Sequence, residues 1–258
     1  MIRGLWDRET VALMLLISLF PVLAVWIMAD GLEALARLLF FLVVAGFWHV
    51  IWMLARAQPP SFAGVITAIC LAILAPRDLG LVALLISTSF GVVMAELVFG
   101  GWGRNVLNPA TVTLAFMGFG YPLAPWPDLA VELGWAAAPA VLIGVVTGVI
   151  PAALVFGALI ALGAGALAGV SYAETGTAIA VILVLLICDP VASAATTLGR
   201  WMNGLLYGAL AALFTLYWST AAPVQAMVSA ALLVSLTAPL LDEIALALWV
   251  RRRRNRFG

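Results

Sequence analysis

The feature that most limits the fold of this chain is a series of ten apolar runs that contain very few charges. Only 9% of the 258 residues are charged and 66% are hydrophobic, which excludes an ordinary water-soluble domain of this length. The sequence therefore predicts an all-α polytopic membrane protein with about ten transmembrane helices. A single kinked helix around Pro151 would reduce the count to nine. The runs are residues 10–29, 32–55, 61–75, 81–99, 107–120, 134–149, 151–170, 175–188, 201–219 and 225–241.

The charges between the runs predict how the helices are oriented. The arginine-rich tail at residues 251–256 is typical of a cytoplasmic anchor rather than a nucleic-acid site. An even number of spans then places both termini in the cytoplasm. The predicted cytoplasmic side also carries Arg3, Arg8, Arg56, Arg104 and Arg200. The opposite side carries six acids and two arginines: Asp30, Glu33, Asp78, Asp128, Glu132, Glu174, Arg37 and Arg77. This asymmetry follows the positive-inside rule.

Five spans in each half of the chain, an odd number, predict two repeats of opposite orientation. Residues 61–76 (SFAGVITAICLAILAP) and 174–190 (ETGTAIAVILVLLICDP) are both short apolar segments that share TAI and end at proline. Short, proline-interrupted segments at matching positions point to a central binding site. We predict a single membrane domain over residues 1–258. Its parts are a first repeat at about 10–122, a second repeat at about 134–250 and the arginine-rich tail at 251–258.

A glycine-rich segment, GGWGRNVLNPA, separates the fourth and fifth runs. Asn108 and Pro109 predict a helix start, because Asn caps free backbone N–H groups and Pro fits the first helical position. A helix over residues 107–120 would be about 21 Å long, shorter than a hydrocarbon core of about 30 Å. Its polar end must therefore face protein or a cavity. Arg104, Asn105 and Asn108 are candidate binding residues for this reason.

A second segment, DPVASAATTLGR, repeats this arrangement. Asp189 is predicted to cap a helix that begins at Pro190. An acid at the end of an apolar span is costly unless it is paired or solvated, which indicates a functional role, or alternatively a cap with a salt bridge to Arg104 or Arg200. The predicted topology places both segments on the cytoplasmic side. Two helix N-termini there would favour the oxygen atoms of a flat heteroaromatic ligand.

The remaining polar residues in the apolar runs give weaker signals. Glu96 fits a cation or proton path, a snorkelling position or an ion pair with Arg104. His49 is the only histidine, and it fits a packing position better than a haem site. Cys70 and Cys188 are expected to be inert, because an iron–sulfur cluster needs four thiolates. No catalytic residue and no metal site is predicted.

The two polar segments resemble a known family, which contains the B subunit of the Na⁺-translocating NADH:quinone reductase and the D subunit of the Rnf electron-transfer complex. The matching pieces lie in order within residues 59–243: PPSFAGVITAICLAILAP, ELVFGGWGRNVLNPATVTLAFMGFGYP, DPVASAATTLGRWMNGLLYGAL and LTAPLLDE. The resemblance implies a ten-helix inverted repeat similar to urea and ammonium channels, in the bacterial inner membrane. It also implies a subunit that is not catalytic alone. Its partners would be the lipid bilayer and the other membrane and redox subunits of an ion-translocating complex that moves Na⁺ or H⁺.

The resemblance further implies a flavin, riboflavin or FMN, near Asn105, Asn108 and Asp189. Arg104 or Arg200 would stabilise the reduced ring, and Thr196 completes the cofactor-binding candidates. The family attaches FMN covalently to a threonine in an SGAT-type sequence. No such sequence occurs here, so we expect a non-covalent flavin only. Two other functions stay open: a flavin-free channel or carrier for a small polar solute on the same scaffold, and a structural subunit of a redox complex.

Overall fold

The computed structural model describes residues 7–56 and 61–257, and this part of the chain is all-helical, with 77% helix and no strand. The predicted all-α class is confirmed. Arg3, Gly258 and the first two prolines of the PPSFAG motif lie outside the described residues. The helices are α1 (Arg8–Arg56), α2 (Ala63–Leu74), α3 (Leu81–Gly91), α4 (Pro109–Gly120), α5 (Val131–Thr147), α6 (Ala152–Leu167), α7 (Gly176–Ile182), α8 (Thr197–Tyr217) and α9 (Pro223–Phe257).

Two helices end in π-helical turns, and α1 contains a break. Helix α3 continues as a π-helix over Val92–Leu97, and α7 continues as a π-helix over Leu183–Ile187. Gly31 interrupts α1 with φ 59° and ψ −127°, a conformation that glycine adopts without a Cβ clash. The first two predicted runs therefore correspond to the two parts of α1.

By length and composition, two of the described helices could cross a membrane: Arg8–Arg56 and the Pro223–Asn255 part of α9. The other apolar helices, apart from α8, are shorter, between 10 and 17 residues when their π-helical continuations are included. The number of membrane spans, their orientation and the inverted repeat therefore stay predictions.

The short helix α2 lies in the centre of the bundle and packs against α1 and α4. Nearly all of its residues are buried, as expected for a helix that is apolar on every face. The Cys70 thiol donates to the carbonyl of Leu185 at 3.3 Å. This contact joins the two segments whose likeness predicts the repeat. Arg37 binds the C-terminal end of α2, where its Nη2 donates to the carbonyl of Ala75 at 2.7 Å.

A charged residue forms a long-range hydrogen bond at each end of the first part of α1. At one end, Asp30 accepts from Arg77 at 2.6 Å. At the other end, Arg8 donates to the carbonyl of Trp102 at 3.3 Å. Because 22 residues of helix rise about 33 Å, these two groups lie on opposite ends of the bundle. The predicted charge distribution assigns them to opposite sides in the same way.

Candidate functional site

Asn108 begins helix α4 as predicted. Its Oδ1 accepts from the backbone N–H groups of Ala110 at 2.8 Å and Thr111 at 3.2 Å, and Pro109 occupies the first helical position. These bonds satisfy two amides that have no partner inside the helix. The side chain is only 3% exposed, so the helix begins inside the protein rather than at its surface.

Asn108 also joins the two polar segments. Its Nδ2 donates to Asp189 Oδ2 at 2.8 Å, across 81 positions of sequence. The other carboxylate oxygen, Asp189 Oδ1, accepts from the backbone N–H of Val191 at 3.0 Å. Asp189 is 4% exposed, so a buried carboxylate and a buried amide form the centre of the candidate site. A bond to an ionised acceptor is stronger than a neutral one.

The predicted helix start at Pro190 is wrong. Residues 189–196 form turns, and α8 begins at Thr197. Asp189 turns back on its own segment by accepting from Val191, a local bond that competes with helix formation. The alternative of a salt bridge from Asp189 to Arg104 or Arg200 is also wrong within the described residues, where the ion pairs are Arg8–Glu9, His49–Glu96 and Arg77–Asp30.

Thr196 is the N-cap of α8 and connects this segment to α9. Its hydroxyl oxygen accepts from the N–H of Gly199 at 3.0 Å and its O–H donates to Asp242 Oδ1 at 2.6 Å. Asp242 also accepts from the backbone N–H groups of Ala195 and Thr196 at 2.7 and 2.9 Å. Asp242 is therefore a positioning residue absent from the predicted set. Its only sequence signal is its place in LTAPLLDE.

The other three cofactor candidates differ in their surroundings. Asn105 is buried and shapes its own loop, where Oδ1 accepts from the N–H of Gly103 and Nδ2 donates to the carbonyl of Leu107. Arg200 donates to the carbonyl of Ala194 at 3.1 Å and so supports the segment after Asp189. Arg104 is exposed. Asn108 and Asp189 are thus the candidates that contact each other directly.

Two buried hydroxyls next to this pair have no hydrogen-bond partner among the described residues: Thr111 Oγ1 and Ser193 Oγ. Thr111 lies in the first turn of α4, and the backbone N–H of Ser193 donates to the carbonyl of Asp189 at 3.1 Å. Buried polar atoms in native proteins are nearly always paired, so these two hydroxyls are able to bond a further polar group. Their chemistry suits a ligand with carbonyls and N–H groups.

Glu96 is not hydrogen-bonded to this pair; it lies in the π-helix Val92–Leu97 and is fully buried. Its Oε1 is 3.0 Å from Nε2 of His49, so the predicted alternatives of a snorkelling position and of a pair with Arg104 are both wrong. A cavity of about 210 Å³ lies beside His49 and Glu96 and is also lined by Arg8 and Trp102. π-helical turns occur often at functional sites.

Known proteins resemble the chain over most of its length. A family model described as "NQR2, RnfD, RnfE family" matches residues 2–137, just over half of the chain. The B subunit of the Na(+)-translocating NADH-quinone reductase of Klebsiella pneumoniae (strain 342) is 28% identical over 83% of this chain and 66% of its own length. The proteins of the same name from Stutzerimonas stutzeri (strain A1501) and Pseudomonas aeruginosa (strain LESB58) are 26% identical over 83% and 84% of this chain and 67% and 68% of their own. The chain thus spans about two thirds of the length of these relatives.

Proposed function

The chain belongs to the NQR2, RnfD, RnfE family, and we propose that it is an integral membrane subunit of an Nqr/Rnf-type electron-transfer complex that binds a flavin non-covalently. The names of the relatives support the type of complex. The hydrogen bond between Asn108 and Asp189, buried at the start of α4, is the observation that carries the flavin site. In this proposal the protein lies in the bacterial inner membrane with both termini in the cytoplasm. It relays electrons between partner subunits and is not catalytic alone.

A bound flavin would supply reversible electron transfer, and the protein would hold and tune it. The Nδ2 group of Asn108 has a second hydrogen that can be donated to a ring carbonyl. Asp189 has lone pairs left for a ring N–H or a ribityl hydroxyl. The hydroxyls of Thr111 and Ser193 add two donors without partners among the described residues. The positive end of α4 favours the negative charge of a reduced ring.

The more distant candidates have supporting roles in this proposal. Asn105 and Thr196 fix the two segments that carry the central pair, through their own hydrogen bonds. Arg104 and Arg200 place positive charge on the same side and compensate added electrons. Glu96 lies on a path for Na⁺ or H⁺ that is separate from the flavin. The coupling ion in this proposal is a monovalent cation.

The experiment is to isolate the protein gently in the presence of riboflavin and FMN, and to record its absorption spectrum before and after acid precipitation. We expect a yellow protein whose flavin is released by acid. Asn108→Leu should lower flavin occupancy at least about tenfold, equal to about 1.4 kcal/mol of binding free energy. Asn255→Leu, on the exposed end of α9, is the matched control and should not change it.

Two results would count against this function. Colourless wild-type protein after isolation in added flavin would contradict flavin binding. Flavin that stays with the precipitated protein would contradict non-covalent attachment. If colourless protein carried a small polar solute into liposomes and Asn108→Leu abolished that flux, the channel or carrier alternative would replace the proposal.

A further inference from the structure

The partly buried His49 and the fully buried Glu96 form a pair that the flavin site does not use. His49 Nε2 lies 3.0 Å from Glu96 Oε1, and His49 Nδ1 lies 2.8 Å from the carbonyl oxygen of Ala45. The imidazole ring also packs against Gly64, where an added Cβ would lie 3.0 Å from the ring. Three separate elements therefore hold the ring in one orientation: the second part of α1, the start of α2 and the π-helix after α3.

This geometry determines where protons can be. A carbonyl oxygen only accepts hydrogen bonds, so His49 Nδ1 must carry a hydrogen. The contact between Nε2 and Glu96 Oε1 then needs one further proton, because two lone pairs would otherwise face each other at 3.0 Å. Either an imidazolium donates to a carboxylate, or a carboxylic acid donates to a neutral imidazole. Both forms contain the same single shared proton, and both leave the pair with no net charge.

The surroundings of the pair include an oxygen atom without a partner in the described part of the chain and a cavity that can hold water. Glu96 Oε2 is buried and has no hydrogen-bond partner among the described residues. The adjacent cavity of about 210 Å³ has room for several water molecules, at about 30 Å³ each. Arg8 lines the same cavity and its side chain is 32% exposed, so one wall of the cavity is a partly exposed cation.

Within residues 7–56 and 61–257, the other charged groups near the pair are few. Arg8 is the further charged side chain among the described residues that line the cavity, and it forms an ion pair with Glu9 at 3.1 Å. Asp189 is close enough to Glu96 for their charges to interact. Helix α4, which packs against the π-helix, places no charged side chain between them. Loss of the shared proton would leave a net negative charge near a second buried carboxylate.

We propose that His49 and Glu96 together form a proton-binding site that exchanges one proton with solvent through the cavity beside Arg8. The exchange transfers the proton from the pair to a water molecule, so the pair changes from neutral to singly negative. This site is separate from the Asn108–Asp189 pair and does not depend on whether a flavin binds there.

The test uses the fact that the chain contains one histidine. In protein labelled with ¹⁵N-histidine, solid-state NMR near neutral pH reports the protonation of His49 alone. Infrared spectroscopy reports a protonated carboxyl group that is lost in Glu96→Gln. We expect a protonated Nδ1 in the wild type together with one further proton, seen either as a protonated Nε2 or as a Glu96 carboxylic acid. In Glu96→Gln, Nε2 should be unprotonated. Glu243→Gln, on the exposed face of α9, is the matched control and should leave both signals unchanged.

The route is tested with a second pair of variants. An added Cβ at Gly46 would meet no described atom within 4 Å and Gly46 lines the cavity, so the longer side chain of Gly46→Leu should extend into it. We expect the hydrogen–deuterium exchange of the shared proton to become at least about tenfold slower, a change of about 1.4 kcal/mol in the barrier. Gly163→Leu, where an added Cβ is equally unobstructed, should leave the rate unchanged. A wild-type protein with unprotonated Nε2 and ionised Glu96 would overturn the site, and unchanged exchange in Gly46→Leu would overturn the route.

Discussion

Replacing Asn108 should reveal two separable contributions, because its amide group has two different partners. The oxygen caps α4 by accepting from Ala110 and Thr111, and the nitrogen donates to Asp189. Asn108→Ser keeps an oxygen that can cap the helix but is too short to reach the carboxylate. Asn108→Ala removes both functions. Comparing the two variants therefore separates the cap from the bond to Asp189.

The expected magnitudes follow from the burial of both partners. Loss of a hydrogen bond to a charged group lowers the free energy of unfolding by about 1.5–3 kcal/mol, which is the cost we expect for Asn108→Ser. Loss of an N-cap adds about 0.5–2 kcal/mol, so Asn108→Ala should cost about 2–5 kcal/mol in total. A double-mutant cycle combines an Asn108 variant with Asp189→Ala. Its coupling energy should be about 1.5–3 kcal/mol, because each single variant already lacks the Asn108–Asp189 hydrogen bond.

The measurement is the free energy of unfolding of flavin-free protein in detergent micelles, followed by the fluorescence of the ten tryptophans as denaturant is added. Working without flavin keeps ligand binding out of the comparison. A coupling energy below about 0.5 kcal/mol, the usual error of additivity, would refute the bond as a stabilising contact. Equal costs for Asn108→Ser and Asn108→Ala would refute the capping role.

Three further substitutions can be measured with the same unfolding assay. Gly91→Ala should lower the free energy of unfolding by about 1–3 kcal/mol or more, because the new Cβ would overlap the hydroxyl of Thr113 on α4. Gly46→Ala, with no described atom within 4 Å, should be neutral or stabilising, and equal effects of the two would contradict the close packing. Asp242→Ala should lower the free energy of unfolding by at least about 1.5 kcal/mol, since it removes the acceptor of three hydrogen bonds at the start of α8. An unchanged free energy of unfolding in this variant would show that these bonds do not stabilise the fold. Arg37→Met should cost about 1.5–3 kcal/mol, because the end of α2 loses a charged donor, whereas Arg252→Met on the exposed tail should have little effect.

Local chemistry was enough to predict some elements from sequence. Asn108 and Pro109 together predict a helix start, and α4 begins there with the expected capping bonds. The same rule failed at Asp189 and Pro190, although the residue types are similar. Asp189 accepts from Val191 inside a turn, and the cap is provided by Thr196 instead. The residue types near a helix start show which side chains are able to cap the helix. Tertiary contacts determine which of these side chains caps it in the fold.

Two of the contacts described above are long-range and could not be predicted from either partner's own segment. His49 and Glu96 are 47 positions apart, and Thr196 and Asp242 are 46 apart. One partner of each pair looked ordinary by itself: a lone histidine suggested packing, and Asp242 lay at the end of an apolar run. The family resemblance, by contrast, is confirmed, because its motifs are local sequences that need no knowledge of the fold.

The two π-helical segments make the direction of nearby acids depend on residue count. In a helix of 3.6 residues per turn, removing one residue turns everything beyond it by about 100°. A deletion within Val92–Leu97 would leave hydropathy and motif nearly unchanged, yet it would point the carboxylate of Glu96 toward a different neighbour. Two relatives could therefore carry the same residue types in this segment with a different number of residues between them. Their acidic side chains would then point in different directions around the helix axis, and only a count of the intervening residues would reveal it.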